Sequence, residues 1–161
     1  MSDSILMHSL KKSKIFKGLN DEDLKMVSTL GSTKNFEKNS ILINEGQTDT
    51  GLYIIIKGHV QVFLPKESGY TNKIRLTKIM LGRLTQGDCF GEYSVIDNSP
   101  TSASVVTLED CDLFIIPRIN FERIINSDNR FAKIIYKNML QVLIKRARDN
   151  VKELDSLNIL Y

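Results

Sequence analysis

At 161 residues, 42% apolar and 25% charged, the chain has material for one core and the charge content of an ordinary globular domain. That balance excludes a disordered or collagen-like protein. A net charge of +3 is too small to argue by itself for a nucleic-acid partner.

The chain opens with MSDSILMHSLKK, which lacks the sustained apolar core of a secretory signal and is expected to be a frayed terminus carrying His8. A helix is predicted within 14–31: Asn20 or Asp21 can cap it, acids fill its first turn, Leu24, Val27 and Leu30 have helical spacing, and Gly31 can end it. Seven of the nine glycines fall between Gly46 and Gly91 and none follows, so the middle is expected to be β and the end α. FEKNSILINEG reads as a short strand entering a turn. GLYIIIKGHVQVFL reads as two strands joined by a turn at Lys57-Gly58. A polar loop around Gly69 leads to KIRLTKIMLGRL, and TLEDCDLFIIP closes the β region at Pro117. Seven or eight short strands over 34–117 predict a compact barrel or jelly roll.

A short helix is expected over 118–127 and a long one over 128–158, a stretch without Gly or Pro. Tyr136, Leu140, Leu143, Ala147, Asn150, Leu154, Leu157 and Tyr161 repeat at alternating spacings of four and three, a heptad seam with one polar member. This seam packs either on the chain's own barrel or on the same helix of a second copy; its length and Asn150 favour a homodimer. Arg130 to Lys152 holds seven basic residues and one acid, Asp149, which reads first as a solvated helix face.

Two cysteines, Cys89 and Cys111, without C-x-x-C spacing, and two isolated histidines, His8 and His59, are too few for a metal site. Both cysteines sit in apolar, strand-like surroundings and are expected to be buried reduced thiols, which fits a cytoplasmic protein. No apolar run approaches the ~18 residues of a membrane span. No Ser-His-Asp set, paired-carboxylate constellation or GxxxxGK[ST] loop is present, so no enzymatic activity is expected.

Three stretches in order, INEGQTDTGLYIIIKGHVQVF, LTQGDCFGE and PTSASV, resemble the cyclic nucleotide-binding domain found in catabolite-activator-type regulators, kinase regulatory subunits and some ion channels. The resemblance runs from about Ile15 to Leu157. It implies a β jelly roll, a phosphate-binding cassette over 90–106 containing a short helix, a hinge helix and a long helix. It also implies cyclic AMP or cyclic GMP as ligand, with no further cofactor. The cassette chemistry can be argued from the residues. Gly91 permits close backbone approach, the helix starting at Glu92 offers free N–H groups to a phosphate, and the Glu92 carboxylate can accept from a ribose hydroxyl. The resemblance places Phe90, Gly91, Glu92, Tyr93, Ser94, Thr101, Ser102 and Ala103 around the sugar and phosphate.

The sequence departs from the family at two places. Thr101 stands where binding members usually carry an arginine, a loss of roughly 1.5–3 kcal/mol, or about one to two decades of affinity. A hydroxyl of Thr101 or Ser102, or a cation such as Arg83, is the expected substitute. At the base lid, a gap-free slide puts Ala147 and Arg148 where dimeric members have small hydroxyl residues; Arg148 can stack on a base through its guanidinium plane. No helix-turn-helix follows the long helix, so sequence-specific DNA binding is not expected. Two readings result: a sensor that couples a cyclic nucleotide to movement of the long helix toward an unidentified protein partner, and a dimeric scaffold that kept the fold and lost the ligand.

Overall fold

The computed structural model describes residues 3–48 and 50–157. Helices α1 (Asp3–Lys12) and α2 (Asp21–Leu30) precede eight strands, and α4 (Arg118–Ser127) and α5 (Asn129–Leu157) follow them. The strands β1 (Ser32–Phe36), β2 (Ile41–Ile43), β3 (Gly51–Lys57), β4 (Val60–Leu64), β5 (Ile79–Leu84), β6 (Cys89–Phe90), β7 (Ser104–Thr107) and β8 (Cys111–Pro117) form two four-stranded antiparallel sheets. Their orders are β1-β8-β3-β6 and β2-β7-β4-β5, the arrangement of a jelly roll. A helix inside the β region, α3 (Glu92–Asp97), lies between β6 and β7.

The apolar runs of β3 and β8 follow from burial on both faces. Leu52, Ile54 and Ile56 of β3, with Phe114 and Ile116 of β8, face the helices. The alternate residues Ile55 and Leu113 join Ile43, Val60, Phe90 and Val105 between the sheets. A strand with period-2 side chains and two apolar neighbours has no reason to alternate polar and apolar.

The two strands and the turn at Lys57-Gly58 form as expected. β3 and β4 belong to different sheets, so Gly58 (φ 95°) and His59 turn a corner between layers instead of closing a hairpin. A side chain at Gly58 would meet the Cys111 sulfur at 2.5 Å, which explains the glycine. The expected frayed terminus is corrected. α1 is a packed helix: Leu10 is fully buried, and Leu6 and Met7 pack against the same core. Leu6 and Leu10 have the i, i+4 spacing of one helical face.

A reciprocal box caps α2. The Asn20 side chain accepts from the Asp23 N–H at 2.8 Å, and the Asp23 carboxylate accepts from the Asn20 N–H at 3.1 Å. Asp23 also accepts from the Arg130 guanidinium of α5 at 2.5 and 3.1 Å, which holds its carboxyl below the usual carboxylate range.

α5 lays one stripe on the chain's own core: Phe131, Ile135 and Met139 are fully buried and Val142 partly so. Asn138, on the same stripe, donates to the carbonyls of Ile15 at 3.0 Å and Lys17 at 2.7 Å, pinning the 3₁₀ turn Lys14–Phe16. The heptad seam is a different stripe. Tyr136, Leu140 and Val151 beside it are 43%, 57% and 65% exposed, whereas Tyr161 lies outside the described residues.

Asn138→Ala leaves two carbonyls without their donor at a buried site and is expected to cost about 1–3 kcal/mol. Chemical denaturation of the variant beside the native chain checks this.

Candidate functional site

A cavity of about 400 Å³, the size of a small-molecule site, opens where the β2-β7-β4-β5 sheet meets α3 and α5. Ile43, Val62 and Val105 give it an apolar floor. The structure brings Phe90, Gly91, Glu92, Tyr93, Ser94, Thr101, Ser102 and Ala103 together on its wall.

Local chemistry places each part. Phe90 stacks on Tyr53, ring centroids 4.8 Å apart. Gly91 adopts a left-handed conformation (φ 83°) as the N-cap of α3, and the Gly51 carbonyl oxygen occupies the space a side chain would need. Only glycine satisfies both conditions. Ser94 is buried, whereas Tyr93 is half exposed. At the other end Asn98 caps α3 in the left-handed region, and the Asp97 carboxylate accepts from the Ser99 N–H at 2.8 Å to turn the chain toward Pro100.

The second arm of the cassette is stitched to the turn between β2 and β3. The Thr101 hydroxyl donates to the Asn44 carbonyl at 2.6 Å and accepts from the Gln47 N–H at 3.0 Å. Its backbone pairs with Gln47 and Gly46, and the Ser104 hydroxyl accepts from the Glu45 N–H at 2.9 Å. A hydroxyl has one hydrogen, and that of Thr101 is already committed. Thr101 therefore does not supply the donor expected of it toward an anion. The exposed Ser102 hydroxyl has no hydrogen bond among the described residues.

The far wall belongs to α5, in a register the sequence reading missed. Arg146, Asp149, Asn150 and Glu153 line the cavity. Ala147 and Arg148 are exposed and do not. At ~100° per residue, positions 146, 149, 150 and 153 share one face, and 147 and 148 turn off it. Arg146 donates to the Glu92 carboxylate through Nη1 and to the Cys89 carbonyl through Nη2. The Glu92 side chain is only 5% exposed and that of Arg146 26%. Burial pushes the Glu92 carboxyl above the usual carboxylate range, against the pull of Arg146 and of its own N–H. The same burial, with the Glu92 charge, pushes the Cys89 thiol up to about 12. It is an inert core sulfur, and Cys111 is also buried and free. Arg83 of β5 lines the cavity and makes no ion pair among the described residues.

Among the described residues no cluster could hold a metal ion, and no helix is long and apolar enough to cross a membrane.

Removing one partner of the Glu92–Arg146 pair leaves a buried charge. Arg146→Met is expected to lower stability by about 2–3 kcal/mol, the low end for a buried pair because Arg146 is partly wet. Glu92→Gln with Arg146→Met should recover much of that loss. A double-mutant cycle by urea denaturation measures the coupling.

The profile of the cyclic nucleotide-binding domain matches residues 33–128. The chain is 26% identical over 149 residues to the cyclic AMP receptor protein of Thermus thermophilus, covering 92% of this chain and 64% of that one. It is 26% identical over 139 residues to a cAMP-dependent protein kinase regulatory subunit of Candida albicans, covering 86% and 28%. It thus spans less than two thirds of either relative. The catabolite activator protein of T. thermophilus superposes with a TM-score of 0.71 at 26% identity, over 90% of this chain and 63% of that one. The regulatory domain of Toxoplasma gondii PKA, solved with cAMP, gives 0.64 at 28%, over 74% and 43%. A cyclic nucleotide-binding domain from Methylobacillus flagellatus gives 0.79 at 20% identity, a likeness of fold, over 98% and 85%. With the cassette, the jelly roll and the family profile in agreement, the chain belongs to the cyclic nucleotide-binding domain family.

Proposed function

We propose that this chain is a non-enzymatic regulatory module that binds a cyclic nucleotide in the cavity and transmits occupancy through α5. The observation that carries the reading is the pairing of Arg146 with Glu92, which joins the long helix α5 to the residue matching the family's ribose acceptor. A carboxylate offers about four lone-pair sites. Arg146 engages one Glu92 oxygen and leaves room for a ribose hydroxyl to donate to the other. The Tyr93 and Ser94 N–H groups at the start of α3, the Ala103 amide and the Ser102 hydroxyl face the phosphate. A ligand that prefers the arrangement with Glu92 held by Arg146 favours docked α5 over undocked α5, which is what a switch requires. The exposed seam residues Tyr136 and Leu140 of α5, with Val151 beside them, support a homodimer as the form in which this movement is read by a partner.

One observation favours the scaffold alternative: Arg146 already satisfies Glu92 without a ligand, and Thr101 offers the phosphate no charge.

Calorimetric titration with cyclic AMP and cyclic GMP, on protein freed of carried nucleotide, separates the two. Saturable binding at micromolar concentration or below, weakened at least about tenfold in Glu92→Ala, is expected of the sensor. No heat up to millimolar ligand contradicts it and leaves the scaffold. The affinity should also depend on pH. The Glu92 carboxyl is raised in the fold, and only its ionised form is a pure acceptor. Binding therefore strengthens as the carboxyl ionises and weakens as pH falls through a value above the ordinary glutamate range. Titrations across mildly acidic pH check the sign.

A further inference from the structure

The two most exposed large apolar side chains among the described residues lie side by side. Leu76 is 96% exposed and Ile74 81%, and Met80 and Ile79 follow close by at 55% and 44%. Apolar residues scattered over a surface need no explanation, but a contiguous set does. From Thr71 to Arg83 every residue except Arg75 is exposed. Ile79 and Met80 are neighbours on the edge strand β5, so they point to opposite faces of the sheet, and both faces are bare there. The stretch is therefore a projection and not the wall of a groove.

The projection is held in shape. Its outer part is a small hairpin in which the Ser68 N–H donates to the Lys73 carbonyl at 3.0 Å and the Arg75 N–H to the Lys66 carbonyl at 2.7 Å. The Arg75 side chain turns inward and donates to the Glu45 carboxylate at 2.9 Å and to the Pro65 carbonyl at 2.7 Å. The Tyr70 side chain fills the space that a side chain at Gly46 would need. Ile74 and Leu76, on either side of Arg75, are left outside. Charge is just as one-sided. Glu45 neutralises Arg75, and between Lys66 and Met80 the exposed cations Lys66, Lys73 and Lys78 then stand against one acid, Glu67.

We propose that this projection docks on an anionic lipid bilayer, with Ile74 and Leu76 entering the boundary between headgroups and acyl chains and Lys66, Lys73 and Lys78 meeting the anionic headgroups. An apolar tip flanked by lysines matches the two layers of such a surface, apolar within and negative at the rim. A bilayer receives a convex apolar wedge without a preformed pocket, whereas a protein partner has to supply one. The docking is independent of what the cavity binds.

Flotation of the full chain with vesicles tests this, using phosphatidylcholine alone and an equimolar mixture of phosphatidylcholine and phosphatidylserine. The expected result is binding to the anionic vesicles that falls with added salt, and none to the neutral ones. Ile74→Ser with Leu76→Ser, both outside the core, should leave the melting temperature unchanged and cut binding at least about tenfold. Lys73→Gln should cut it about fivefold. The chain contains no tryptophan, so Leu76→Trp places a unique reporter whose emission should move to the blue only when anionic vesicles are added. Absence of flotation with anionic vesicles at millimolar lipid overturns the proposal. Flotation that the Ile74/Leu76 double variant leaves unchanged overturns it too, because the binding surface then lies elsewhere. So does a Leu76→Trp emission already blue before vesicles are added, together with a native oligomer that the double variant dissociates in sedimentation, since a second copy of the chain then covers the projection.

Discussion

A carboxylate 5% exposed at the wall of a cavity cannot stay ionised without a partner, and Arg146 is the partner that Glu92 has. This pairing sets the position of α5. The first half of the helix is held by apolar burial at Phe131, Ile135 and Met139 and by Asn138. Among the described residues the second half is less buried: Leu140, Ile144 and Val151 are exposed. What brings it over the cavity is the guanidinium, which reaches both the Glu92 carboxylate and the Cys89 carbonyl. One end of α5 is thus fixed by packing and the other by a polar contact that shares its acceptor with the site.

The other arm of the cassette is organised by a different economy of hydrogen bonds. Thr101 does not occupy the place of an anion-binding residue idly. Its hydroxyl and backbone tie the cassette to Asn44, Gly46 and Gln47, and the neighbouring Glu45 is held by Arg75 at 2.9 Å. Thr101 carries no charge, and its hydrogen bonds make it part of the frame of this arm. The floor of the site, Ile43, Val62 and Val105, comes from the same sheet and needs no polar help.

Much of this was legible in the sequence because it rests on local rules. The β-branched and apolar runs of β3 and β8 mark strands, Gly91 marks a close backbone approach, and Asn20 is one of two residues that can cap α2; the left-handed conformation of Gly91 and the reciprocal box with Asp23 are seen only in the fold. What was left open or missed has physical causes. A tight glycine turn such as Lys57-Gly58 says nothing about which sheet receives the next strand. The heptad seam drew attention to Tyr136 and Leu140 and away from Phe131, Ile135, Asn138, Met139 and Val142, since helical spacing alone cannot say which of two apolar stripes meets the core. Extended at the same spacing, the buried stripe runs on to 146, 149, 150 and 153. A lid placed from that stripe, instead of by counting along from the family's pattern, would have named Arg146 and not Ala147 or Arg148.

Amide hydrogen exchange along α5, compared between the native chain and Glu92→Gln without ligand, tests most directly whether the cassette carboxylate holds the helix. Faster exchange from residue 143 onward, with protection kept at 131–139, is the predicted result. Equal protection over the whole helix in both proteins would contradict it, because α5 would then owe its position to packing alone.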